Sequence, residues 1–156
     1  MTFISEKLIT RTWQHVGGSG SNEILRLQKR HRKKQNALTM FAYSSHGVFR
    51  EDAFGVFLYV FHVVIEAFEN AKPRPKRVSK RLIESVSKEK DAEAPLPITL
   101  AIERSPEPNV LRYVYEAFTE EDDDDVVLSQ HELEAFFAAL VVVTECLHRL
   151  LKVTKG

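Results

Sequence analysis

Apolar positions recur at helical spacing along most of this chain, and two stretches are apolar almost all round. The first runs from Arg50 to Asn70 through Phe54, Phe57, Leu58, Val60, Phe61, Val63 and Val64. The second begins at Ser129-Gln130-His131-Glu132 and continues through Phe136, Phe137, Leu140, Val142, Val143 and Leu147 to Leu151. Ser129 and Glu132 have the spacing of a capping box, each side chain answering the other's amide, which makes this the firmest helix start in the chain. Helices without a polar face must be covered on several sides, so both belong at the centre of a fold.

Around them the pattern predicts amphipathic helices. From Asn22 to Ser45, residues Ile24, Leu27, His31, Leu38 and Ala42 fall on one stripe, while Arg26, Lys29, Arg30, Arg32, Lys33 and Lys34 occupy the rest of the circumference. Gly47 supplies a left-handed stop just beyond. Ser105-Pro106-Glu107-Pro108 opens a helix to Thr119, with the prolines suited to its first turn. Phe3 to Val16 leans to a short helix despite β-favouring residues between Leu8 and Trp13.

Gly17-Gly18-Ser19-Gly20-Ser21 reads as a flexible tether with the composition of an expression linker. Pro73 and Pro75 make residues 72–77 a linker. Val78 to Lys90 forms a short charged helix anchored by Val78, Leu82, Ile83 and Val86, and Asp91 to Pro97 is irregular. This middle section is expected to be the most mobile part of the chain.

The second half repeats the first at low fidelity. Asn36-Ala37-Leu38 reads against Asn109-Val110-Leu111, and without gaps Phe54, Phe57, Phe61, Val63-Val64 and Glu66 meet Leu133, Phe136, Leu140, Val142-Val143 and Glu145. The extra length of the second copy coincides with the acidic run Glu120 to Asp125. The expected fold is all-α, a bundle of two similar helical hairpins forming a four-helix core with additional short helices. Residues 1–21 are then an N-terminal segment and tether. Residues 22–156 are one domain, with hairpin one at 22–71, the charged middle at 72–104 and hairpin two at 105–152.

At 156 residues and 44% hydrophobic the chain is long enough for one well-filled core. Cys146 stands alone, excluding an intrachain disulfide framework and a Cys-based zinc site. No basic leader followed by an apolar segment opens the sequence, so a cytoplasmic protein is expected. A membrane span needs roughly 20 apolar residues. His62, Glu66 and Glu69 interrupt the first apolar run too early for that. The net charge of zero hides a division: up to Lys90 there are 17 Lys and Arg against 8 Asp and Glu, and from Asp91 onward 5 against 14. Steering of a polyanion must therefore come from a local patch.

Three chemistries are weighed. Glu145-x-x-His148 has the spacing of a carboxylate-bridged metal helix, and His62 with Glu66 could add ligands; the bland reading, that Glu66 and Glu145 mark where core helices emerge into water, is favoured because the ligand set is incomplete. Asp123, Asp125 and Glu134 fall at calcium-loop spacing, but Val127 and Leu128 stand where an oxygen donor and a glycine are needed. Arg26, Lys29, Arg30, Lys33, Arg74, Lys76 and Arg77 form basic clusters suited to phosphate, though no aromatic residue is interleaved for base stacking.

No Gly-rich phosphate loop or nucleophile with its base is present, so no catalytic residue, metal or cofactor is expected. The sequence reads as a non-enzymatic binding or scaffolding module, self-associating as a homodimer or with a protein partner through Phe54, Phe57, Phe61, Phe136, Phe137 and Leu140. Nucleic-acid binding on the basic face is the alternative, and a metal-dependent bundle enzyme the second.

Overall fold

Ser5 accepts the amide of Leu8 at 3.0 Å and so opens the first helix, α1 (Glu6–Gly17). The computed structural model describes residues 2–72, 74–93, 96–119 and 127–153; among these it is all-helical, with eight α-helices, one 3-10 turn and no strand. After α1 come α2 (Ser21–Lys34), α3 (Asn36–Tyr43), the 3-10 turn (Ser44–Val48) and α4 (Glu51–Glu69). The rest is α5 (Lys80–Glu93), α6 (Ile98–Arg104), α7 (Pro108–Thr119) and α8 (Gln130–Val153). The capping box forms as the spacing predicts: the Ser129 amide donates to Glu132 at 3.0 Å, and the Glu132 amide to the Ser129 hydroxyl at 3.1 Å.

The long helix expected from Asn22 to Ser45 is two helices. The break falls at Gln35, whose backbone leaves helical geometry (φ −130°, ψ 59°) although neither glycine nor proline is near. Its side chain explains the break: Nε2 donates to the Lys76 carbonyl at 3.0 Å and Oε1 accepts the Val78 amide at 2.9 Å. The glycine-serine stretch is likewise no long tether. Gly18 closes α1 by donating to the carbonyls of Gln14 and His15, and Gly20 is the N-cap of α2, leaving a tight corner.

The middle section is anchored rather than loose. Pro75, Val78, Ile83, Val86 and Ile102 are buried, and the charged residues between them point outward. In this stretch α6 stands where no helix was predicted. Its residues Ile98 and Ile102 lie one turn apart, a spacing too short to reveal a helix alone.

At the centre α4 packs against α8. The Phe57 and Phe136 rings meet edge to face, 5.3 Å apart at 82°, a geometry that adds to the burial of both rings. Helix α1 covers α4 and α7, while α5 covers α8 and α3; Trp13 of α1 reaches both Tyr59 and Tyr113. The apolar candidates Phe57, Phe61, Phe136, Phe137 and Leu140 are no more than 2% exposed. Phe54 is half-buried among Tyr43, His46 and Phe49. Much of the apolar surface of both central helices is thus covered inside one chain. No helix among the described residues is long and apolar enough to cross a membrane.

Candidate functional site

Three buried polar residues at the contact of α2 with α4, His31, His62 and Glu66, form one connected group. His31 is the only fully buried residue of α2. Its Nε2 lies 2.9 Å from Glu66 Oε1 and its Nδ1 2.9 Å from His62 Nδ1, with the two imidazole rings stacked. Arg30, beside it, donates to the same Glu66 oxygen at 2.6 Å. Burial alone would raise the Glu66 carboxyl, but hydrogen bonds from His31 and then Arg30 outweigh it and hold the group at about 2. Burial, then the nearby His31 and Arg32, push His62 down to about 3, so its ring stays neutral.

Those states orient the protons. Ionised Glu66 accepts from His31 Nε2–H, and the neutral His62 ring meets the other side of His31, Nδ1 to Nδ1. His62 Nε2 is buried and, among the described residues, without a hydrogen-bond partner. Glu66 is therefore not a carboxylate emerging freely into water: it is 8% exposed and anchors α2 to α4.

The Glu145-x-x-His148 pair does not converge. Glu145 faces Lys90 and Arg149, each at 3.2 Å. His148 Nδ1 donates to Glu107 at 2.6 Å, and the same carboxylate accepts the amides of Phe3 and Ile4 at 3.0 Å each. Among the described residues no group of three or more His, Cys, Asp and Glu side chains is placed to hold a metal ion. Asp123 and Asp125 lie outside the described residues, and Glu134 is exposed and bonded to Gln130.

Of the basic candidates, Lys33 and Arg77 are brought together. Arg77 lays its guanidinium on the open C-terminal end of α2, donating from Nη2 to the Lys33 carbonyl at 2.8 Å and from Nε to the Lys34 carbonyl at 3.3 Å. Gln35 ties down residues 76–78 beside it. Lys29, Arg32, Lys33, Arg74, Lys76, Lys80 and Arg81, on α2, α5 and the segment leading into α5, are exposed, and among the described residues none of them enters an ion pair. Arg30 is set apart by Glu66, Lys34 faces Glu69 at 3.6 Å, and Arg26 lies toward the other end of α2.

Sequence reasoning missed Gln35 and Glu107, the two residues that fasten distant backbone. Gln35 left a trace, since it shares the stripe of His31, Leu38 and Ala42 and so is a polar group on a core face. Glu107 left none, because its targets are more than 100 residues away.

A groove with a volume of about 560 Å³ opens between α5, α6 and α8. Ala101, Ala138 and Ala139 leave it room, and Ile98, Phe137 and Val142 give it apolar walls. A smaller cleft of about 210 Å³ lies between α1, α2 and α4, with Arg30 and Glu66 in its lining. Comparisons of the chain with known protein families, with curated proteins and with solved structures find no match.

Proposed function

We propose that the chain is a non-enzymatic helical binding module that holds duplex nucleic acid by its phosphate backbone. The binding surface is made by the end of α2 and the segment leading into α5. One observation carries the reading: the Arg77 guanidinium joins basic runs 44 residues apart in sequence into one surface. Cations gathered this way gain from phosphate through released counterions. No Phe, Tyr or Trp lies in residues 22–34 or 72–81, so base stacking has no platform there. Contacts to the backbone of a duplex, with little sequence preference, fit that composition.

The scaffold behind this surface reads as two similar halves, α1 to α4 and α5 to α8, an extension of the hairpin repeat. In support, α1 packs on α4 and α7 as α5 packs on α8 and α3; α2 lies on α3 and α4 as α6 lies on α7 and α8. Ser5 and Ser79 each accept the amide three residues on, at 3.0 and 3.1 Å. Each half also fastens the other, Glu107 taking the Ile4 amide and Gln35 the Val78 amide.

Fluorescence anisotropy of a labelled DNA duplex tests the binding. Affinity is expected to fall linearly in log–log form as salt rises, and the triple variant K29E/K33E/K76E is expected to flatten that slope by about 3, close to 0.9 per lost phosphate contact. Arg30 is left out because it holds the fold. An unchanged circular dichroism spectrum would show that the variant is folded. Absence of binding at low salt, or binding indifferent to salt, refutes the proposal.

A further inference from the structure

The two clefts occupy matching places in the two halves, one under α2 and the other under α6. Ile24, Leu27 and Arg30 on α2 have the same spacing as Ile98, Ala101 and Arg104 on α6, and each set lines its own cleft. On the central helices, the gapless match that pairs Phe57 with Phe136 sets Tyr59 and Val60 of α4 opposite Ala138 and Ala139 of α8. The larger second cleft has alanines in its lining, Ala101, Ala138 and Ala139, where the first half carries Leu27, Tyr59 and Val60.

The charges differ at the same points. In the first half Arg30 ends on the Glu66 carboxylate at 2.6 Å. In the second, the matching Glu145 is drawn away to Lys90 and Arg149, and Arg104 forms no ion pair among the described residues. Arg104 nevertheless lines the groove. A guanidinium at the edge of an apolar cavity lacks the carboxylate that its counterpart has.

We infer that the groove between α5, α6 and α8 binds an amphiphile with an aliphatic body and a single carboxylate head, the head paired with Arg104. A volume of about 560 Å³ falls within the usual range for small-molecule sites, roughly 300–1,000 Å³. The guanidinium fork matches a carboxylate bidentately. Asp91, Glu93 and Glu134 also line the groove. Those carboxylates select against a doubly charged phosphate head and against a polyanion, which separates this site from the basic surface on α2.

The test is calorimetric titration of the full chain with dodecanoate, dodecyl phosphate and dodecyltrimethylammonium, each kept below its micelle concentration. Methyl NMR of Ala101, Ala138 and Val142 locates the binding. Dodecanoate is expected to bind and to shift those methyl groups. R104Q is expected to weaken it by about tenfold or more, the usual loss for a charge-assisted pair. A101L, which restores the residue standing at the matching place on α2, is expected to block the groove. Both variants should keep the wild-type unfolding midpoint without ligand, since Arg104 is exposed and Ala101 borders open space. The inference is overturned if dodecanoate does not bind, if its shifts map elsewhere, if either other amphiphile binds as tightly, or if R104Q leaves the affinity unchanged. None of these results depends on nucleic-acid binding.

Discussion

His31 and His62 face each other through their Nδ1 atoms at 2.9 Å inside the core, and only one of the two nitrogens can carry the shared proton. Glu66 holds the other side of His31, so α2, poor in buried apolar side chains, is seated on α4 by an ordered row of polar groups. Such a row is stable only while each proton stays where the row needs it.

The first prediction concerns acid. His62 takes up a proton near 6.5 when unfolded but only at about 3 when folded. Below 6.5 the unfolded state therefore binds more protons, and the contribution of His62 to stability falls as pH drops toward 3, by up to about 1.4 kcal/mol per pH unit. Glu66 acts in the same direction lower down: its depressed value of about 2 gives stability that is present above 4.5 and lost as pH falls through 2. Urea unfolding midpoints measured between pH 7 and 4 should decline for the wild type and decline less for H62Q. Equal pH profiles would show that His62 does not titrate on unfolding.

Glu107 carries the second. Its carboxylate takes two N-terminal amides and the His148 imidazole, and it is fully buried. E107A removes the acceptor that these three groups share and should cost about 3–5 kcal/mol, the range for breaking a buried charged pair. Hydrogen exchange should show the Ile4 amide losing protection ahead of the core. Q35A removes a neutral pair of bonds to residues 76–78 and should cost less, about 1–3 kcal/mol. If the two variants were equally destabilised, the charge on Glu107 would be immaterial.

Much of the fold was legible because the deciding signals are local. Ser129 and Glu132 announce α8 within four residues, and the all-round apolar runs place α4 and α8 at the centre. What the sequence hid is non-local. The helix break at Gln35 exists because Lys76 and Val78 supply better partners than the next turn does. The middle segment looked loose because few of its residues are apolar, yet Pro75, Val78, Ile83 and Val86 are all buried. Of the candidate sites, the basic runs were visible and their union through Arg77 was not. The spacing of Glu145 and His148 suggested a shared ligand, whereas Lys90, Arg149 and Glu107 draw the two apart.

The third prediction separates a core from an interface. Phe57 and Phe136 are fully buried within one chain, so F57A should destabilise the fold by about 3–5 kcal/mol. The midpoint of that unfolding should not depend on protein concentration, because no second copy is needed to bury the ring. A midpoint that rises with concentration would return these residues to a dimer interface.

The last prediction uses the single thiol. Cys146 is fully buried on α8, and burial, only partly offset by the nearby Arg149, pushes it up to about 12. The thiolate is the reactive form, so at neutral pH Cys146 is both hidden and protonated. Labelling with a thiol-reactive disulfide should therefore wait on unfolding and accelerate in urea in step with the loss of helix. Labels that enter the native protein in seconds would mean that α8 opens locally, and the packing of α5 against it would then be far looser than the buried Ile83 and Val86 require.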